Sequence, residues 1–231
     1  MGGSQRVRYV AGMRIAIVTF DGFNEIDSFV AMSMIGRVRR EDWEVALVSP
    51  SPSIRSAQGV RVDAQQPLEF ANEADAVLIG SARGSREVVK DESILSRIRL
   101  DPKRQLIGSQ CSGALILAKL GLLPTRQACT DRFTRPAVEA AGIEVLERSF
   151  MSHGNVATAG GCLSAHYLAT WVLWRLTDRS TAARALENVV PVGEAGAYVE
   201  RALQIVEPFM GRLGSATKPA IVTPRPSSSA T

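Results

Sequence analysis

From Gln105 to Leu120 the chain reads Gln-Leu-Ile-Gly-Ser-Gln-Cys-Ser-Gly-Ala-Leu-Ile-Leu-Ala-Lys-Leu. The apolar pair Leu106 and Ile107 predicts a buried strand, and Ala114, Leu115, Leu117 and Ala118 predict a buried helix directly after it. Between them stands Cys111, with Ser109 two residues before and Gly113 two residues after. Small neighbours are what a sharp strand-to-helix turn requires, because bulky ones clash with the backbone there. A helix starting at that point aims its free N–H groups and the positive end of its dipole at the sulfur, which favours thiolate. Taken alone, the same cysteine also suits a small core hydrophobe.

The rest of the chain repeats the strand-then-helix theme. Met13 to Phe20 is a buried strand, Asp21-Gly22 a turn, and Glu25 to Val38 a helix. Trp43 to Val48 is a second strand, closed by Pro50 and Pro52. Ile54 to Ala57 and Val60 to Val62 flank Gln58-Gly59 as a short hairpin. Ala76 to Ile79 is a third buried strand, followed by Gly80-Ser81-Ala82-Arg83-Gly84 and a helix to about Arg99. Gln127 to Thr130 suits a short strand, with a helix after Pro136. Glu144 to Met151 and Val156 to Thr158 suit a hairpin turning at His153-Gly154-Asn155. Helices are expected over Gly161–Leu176, Ser180–Asn188 and Glu194–Met210. The alternation implies one α/β domain over residues 13–210, a mostly parallel sheet covered by helices on both faces. Residues 1–12 read as a loose leader and 211–231, rich in Ser, Thr and Pro, as a disordered tail.

Composition narrows the function. The net charge of +4, from 27 basic and 23 acidic side chains, is spread along the chain. The Arg37, Arg39 and Arg40 cluster reads as a solvated helix end, so no nucleic-acid partner is expected. No apolar run approaches the ~20 residues of a membrane span, and residues 1–12 lack the apolar centre of a signal peptide. The three cysteines form neither a C-x-x-C pair nor metal-ligand spacing with the two histidines, so no structural zinc or other metal site is expected. An odd cysteine count without a disulfide framework suits a cytoplasmic protein.

In a parallel sheet, ligands gather at the carboxyl ends of the strands. Asp21–Asp27, Gly80–Gly84 and Ser109–Gly113 all leave strands there. A cysteine nucleophile needs proton transfer and donors for developing negative charge. The Ser112 N–H is the natural donor, and the small Gly80-Ser81 loop is the candidate second. Asp27, between Ile26 and Phe29, is in apolar company that raises a carboxyl pKa and suits acid–base work. Equally, Glu25 and Asp27 suit plain complementation of the helix dipole. His153 is expected exposed in a turn and His166 packed in a helix. Cys129 and Cys162 read as core thiols, and Trp171 and Trp174 as packing residues on one helix face.

The Ser-Gln-Cys-Ser-Gly-Ala-Leu elbow, the opening Arg-Ile-Ala-Ile-Val-Thr-Phe-Asp-Gly-Phe and the Ala-Thr-Ala-Gly-Gly stretch before a long helix resemble the DJ-1/PfpI superfamily. The resemblance spans roughly residues 13–210 and implies a single flavodoxin-like, DJ-1-like domain. Within the superfamily the chain is most similar to isonitrile hydratases, through Glu-Ile-Asp at 25–27, Cys-Ser at 111–112, the hairpin around Gly59 and Val-Val-Pro-Val-Gly-Glu at 189–194. That similarity implies a cofactor-free hydro-lyase acting on a small molecule, with Cys111, Asp27 and Ser112 catalytic and Gly80, Ser81 and Ser112 binding the substrate. It also implies a homodimer. Glyoxalase-like chemistry, cysteine redox sensing and non-catalytic ligand sensing are the other roles that the superfamily suggests. The chain departs from its relatives at Ser112, where protease-like members carry histidine. It departs also at Ile79-Gly80-Ser81 for Pro-Gly-Gly, at Cys129-Thr130-Asp131 for Thr-Thr-His, and at Tyr167 for an acid.

Overall fold

Alternation along Met13–Val18 (β1) explains why the central sheet is covered on both faces. Ile15 and Ile17 enter one hydrophobic layer, while Ala16 and Val18 enter the other, as the two-residue period of a strand dictates. The computed structural model describes residues 12–38 and 40–211. Apart from Gly12 and Gly211, the expected leader and tail lie outside the described residues, as does Arg39 of the arginine cluster.

After β1 come α1 (Glu25–Ile35), β2 (Trp43–Ser49), β3 (Ser53–Arg55), β4 (Arg61–Asp63), β5 (Gln66–Pro67), α2 (Phe70–Glu73) and β6 (Ala76–Ile79). Next are α3 (Ser85–Val88), α4 (Glu92–Leu95), β7 (Leu106–Gln110) and α5 (Gly113–Lys119). The last third holds β8 (Gln127–Ala128), α6 (Arg135–Ala140), β9 (Glu144–Val145), β10 (Phe150–His153) and β11 (Val156–Ala159). A 3₁₀ turn over Cys162–Ser164 then leads into α7 (Ala165–Leu176), α8 (Arg179–Glu187) and α9 (Ala195–Val206).

Seven strands form one sheet in the order β10-β11-β7-β6-β1-β2-β5. Every pairing in it is parallel except β10 with β11. One face packs on α1, α7, α8 and α9, and the other carries Leu115, Ile116 and Leu117 of α5 with Leu95 and Val138. The chain is thus a single α/β domain with helices on both faces. From β1 it runs first to β2 and then returns to the other side at β6, so the switch of direction lies between β1 and β6. Crevices of this kind are where open parallel sheets take ligands.

Two elements expected as single runs are divided. The single helix expected from Gly84 to Arg99 is two single turns, because Asp91 stops the first and caps the second by accepting from the Ser93 N–H at 2.9 Å. A short polar side chain that bonds its own backbone competes with helix continuation. The strand expected over Glu144–Met151 is divided. Glu144 and Val145 pair with β8 in a separate two-stranded ladder, and only Phe150 onward joins the main sheet. Trp171 is fully buried and Trp174 half-buried against the same core, the packing role expected of both.

Among the described residues, no helix is long and apolar enough to cross a membrane.

Candidate active site

Four neighbouring strands, β11, β7, β6 and β1, deliver one side chain each to the same rim: Cys162, Cys111, Ser81 and Asp27. The elbow at Cys111 has φ +46°, in the left-handed region that only glycine adopts freely. Its surroundings enforce it. The Cys111 N–H donates to Ala159 O at 2.8 Å, and Cys111 O accepts from Thr130 Oγ1 at 2.9 Å and from the Ala114 N–H at 3.1 Å. Behind it, a Cβ on Gly113 would lie 2.5 Å from Ile79 O and 3.2 Å from Gly80 O. Glycine there lets the start of α5 press against the end of β6. Gly113→Ala is expected to cost about 1–3 kcal/mol of stability, the range for overpacking against backbone that cannot yield. Urea unfolding of the variant measures it.

Asp27 sits in the first turn of α1, where Asn24 Oδ1 caps the helix by accepting from the Ile26 N–H at 3.0 Å. Asp27 is 2 % exposed. The company that buries it is not Ile26 and Phe29, which are 45 % and 37 % exposed, but the end of β6. Oδ2 accepts from the Ser81 hydroxyl and from the Ser81 N–H at 3.3 Å, while Oδ1 has no partner among the described residues. Burial outweighs the Ser81 donors and raises the Asp27 pKa from 3.8 to about 6.

A carboxylate oxygen of Asp27, Cys111 Sγ and Cys162 Sγ all lie within 4.8 Å of one another. Gln110 Nε2 donates to Cys111 Sγ at 3.6 Å, and Asn24 Nδ2 donates to Cys162 Sγ at 3.2 Å. The Cys111 sulfur is not the thiolate that its place at a helix start predicts. Burial, and then the charge of Asp27, push the Cys111 pKa up, not down. The sulfur has exchanged water for protein, and a seven-residue helix behind it is too short a dipole to offset that loss beside a carboxylate. The resting pair at neutral pH is therefore thiol and carboxylate.

The expected anion donors divide. The Ser112 N–H donates no hydrogen bond among the described residues. The Ser112 hydroxyl is tied down, accepting from the Ala82 N–H at 3.1 Å and lying 2.8 Å from Ser85 Oγ. On the opposite loop, the Gly80 N–H donates to Val18 O at 3.0 Å and the Ser81 N–H is taken by Asp27. The Gly80-Ser81 loop thus serves the sheet and the carboxylate, and neither N–H is free to face a ligand.

Cys111, Ser112, Ser81 and Cys162 line a cavity of about 930 Å³, with Thr130 and Asp131 also in its wall. Asp131 accepts from the Phe133 and Thr134 N–H groups at 2.9 and 3.0 Å, which shapes that wall. Neither histidine lines it. His153 pairs with Val156 opposite Ile107, four residues down β7 from Cys111, about 13 Å along the strand. His166 and Tyr167 line a different cleft, beside α9. Cys129 is fully buried, as expected of a core thiol, but Cys162 is not: it is partly exposed and faces the cavity. Three donors within 4.8 Å could hold one metal ion, a grouping hidden by the 51-residue gap between the two cysteines. The only signal for Cys162 was its place directly after Gly160-Gly161 at a strand end.

The model of the DJ-1/PfpI family matches residues 13–173. The chain belongs to the DJ-1/PfpI family. Its fold is that of solved family structures. Schizosaccharomyces pombe DJ-1 superposes with a TM-score of 0.66 at 16 % identity, covering 78 % of this chain and 100 % of its own. A ThiJ/PfpI family protein from Pseudomonas syringae gives 0.69 at 18 %, over 90 % and 94 %. A DJ-1 superfamily protein from Salmonella typhimurium, solved as a cysteine-to-alanine mutant, gives 0.64 at 19 %, over 78 % and 99 %. No curated protein matches the chain. Family membership extends over both halves of the site, from Asp27 on α1 to Cys162 before α7.

Proposed function

We propose that this DJ-1/PfpI protein is a cysteine-dependent hydratase of the isonitrile hydratase type, converting R–NC and water to an N-substituted formamide. The observation that carries the reading is a buried carboxylate within 4.8 Å of the elbow sulfur, which itself lines a cavity that no histidine borders. An isonitrile carbon accepts a nucleophile and a proton on the same atom. A thiol beside a carboxylate offers both from one place.

Starting from thiol and carboxylate, Asp27 takes the Cys111 proton as the sulfur attacks the isonitrile carbon. It then returns that proton to the same carbon, leaving the thioimidate R–N=CH–S–Cys111. Ionised again, Asp27 draws a proton from water as the oxygen adds to that carbon, and it passes this proton to nitrogen. Collapse of the adduct expels the sulfur, which recovers its proton from the new hydroxyl, and the formamide leaves. The free Ser112 N–H stabilises charge as it develops at the reacting centre. Ser81 holds Asp27 in place and aims one of its oxygens.

The test is incubation of the purified protein with cyclohexyl isocyanide, with methylglyoxal as the competing substrate class. N-cyclohexylformamide should accumulate catalytically, and acid-quenched samples should carry the thioimidate mass on the peptide containing Cys111. Turnover of methylglyoxal with no formamide formed would replace this reading with the glyoxalase-like one.

A further inference from the structure

The hydration cycle leaves Cys162 without a task, although its sulfur lies within 4.8 Å of Cys111 Sγ and of the Asp27 carboxylate. We infer that Cys111 and Cys162 form a peroxide-reducing dithiol, in which Cys162 captures a sulfenic acid on Cys111 as an intramolecular disulfide. The inference shares the Cys111 nucleophile with the proposed hydration but none of its substrate chemistry.

Three features of the site support it. Each sulfur has its own side-chain amide donor, Gln110 Nε2 for Cys111 and Asn24 Nδ2 for Cys162, a contact that stabilises negative charge on sulfur. Cys162 borders the cavity and is partly exposed, whereas the third cysteine, Cys129, is buried in the core. Cys162 also follows Gly160 and Gly161 at the head of a three-residue 3₁₀ turn, with Gly161 at φ +86°. Gly160 and Gly161 are held by bonds with Ser149, Ser164 and Gln110, so the sulfurs, already within 4.8 Å, close to the ~2.05 Å of a disulfide by movement of the two cysteine side chains.

Asp27 accepts the Cys111 proton, and the sulfur attacks the nearer oxygen of a hydroperoxide ROOH. The O–O bond breaks, leaving Cys111–SOH, and the departing alkoxide takes the proton from Asp27 to become ROH. The Cys162 thiol then attacks the sulfenic sulfur; the S–S bond forms, the S–O bond breaks, and the hydroxide leaves as water with the Cys162 proton. Two thiols lose two electrons and the peroxide gains them. An external dithiol returns the pair to its reduced form.

The test is to expose the full chain to equimolar hydrogen peroxide, alkylate free thiols in acid and map the peptides without reduction. The expected product is a Cys111–Cys162 cross-linked peptide, lighter by two hydrogens than the sum of its parts and cleaved by dithiothreitol, with Cys129 alkylated throughout. In the Cys162→Ser variant the cross-link is lost, and Cys111 carries sulfenic acid trapped by dimedone, then sulfinic acid. Circular dichroism of the variant shows that it is folded. Sulfinic acid on Cys111 beside a free Cys162 thiol in the unmutated protein would overturn the inference, as would two unmodified thiols after peroxide. Formamide production, measured before any peroxide is added, reports on the hydratase reading separately.

Discussion

Cys111→Ala is expected to reduce formamide production from cyclohexyl isocyanide to the uncatalysed background, a loss on the order of 10⁴-fold or more. Loss of an attacking atom has this size because no neighbour stands in its place. Cys129 is sealed in the core, and Cys162 stands on the turn after β11, not on the elbow that the Ser112 N–H follows. The fold should survive. Alanine carries the same Cβ as cysteine at φ +46°, and the bonds with Ala159 and Thr130 that enforce the elbow involve only the backbone of residue 111. Matched thermal unfolding beside the rate assay therefore separates lost chemistry from lost structure. A variant that is folded and as fast as the parent would exclude the thioimidate route.

Asp27→Asn is expected to slow hydration by about 10²–10⁴-fold, the usual contribution of a positioned acid–base group, and at the same time to make the protein more stable. The cause of both is burial. A carboxyl whose pKa rises from 3.8 to about 6 on folding binds protons more tightly in the native than in the unfolded state. Stability therefore falls as pH climbs from about 4 to about 6, and the whole cost, about 3 kcal/mol, is present at neutral pH. Asparagine can keep the bond from Ser81 without carrying the charge. Urea unfolding should show a gain of up to about 3 kcal/mol at neutral pH and almost none near pH 4. Activity should run the other way. In the parent, kcat/KM rises with pH through about 6 as the carboxylate that accepts the thiol proton forms; in the variant that limb is absent. A rate limb near 6 that persists in Asp27→Asn would assign the titration to another group.

Much of this architecture was legible in the linear chain because it depends on short-range pattern. The apolar runs at Ile15–Val18, Ala76–Ile79 and Leu106–Ile107 are buried on both faces of the sheet. Ser109, Cys111 and Gly113 form the elbow that their sizes require. The burial of Asp27 was anticipated from Ile26 and Phe29, yet both are substantially exposed, and the end of β6 supplies the burial instead. Cys162 was misread because its partner in space is 51 residues away in sequence, and only the adjacency of β7 and β11 brings them together.

The sequence alone determined the strand-to-helix periodicity, the covered parallel sheet and the elbow, since each follows from side-chain size and polarity over a few neighbouring residues. Tertiary structure alone decided the protonation and the company of the sulfur. Whether Cys111 rests as thiol or thiolate depends on how much water it loses and which charges face it. Those quantities are set by four strands that meet only after the chain has folded.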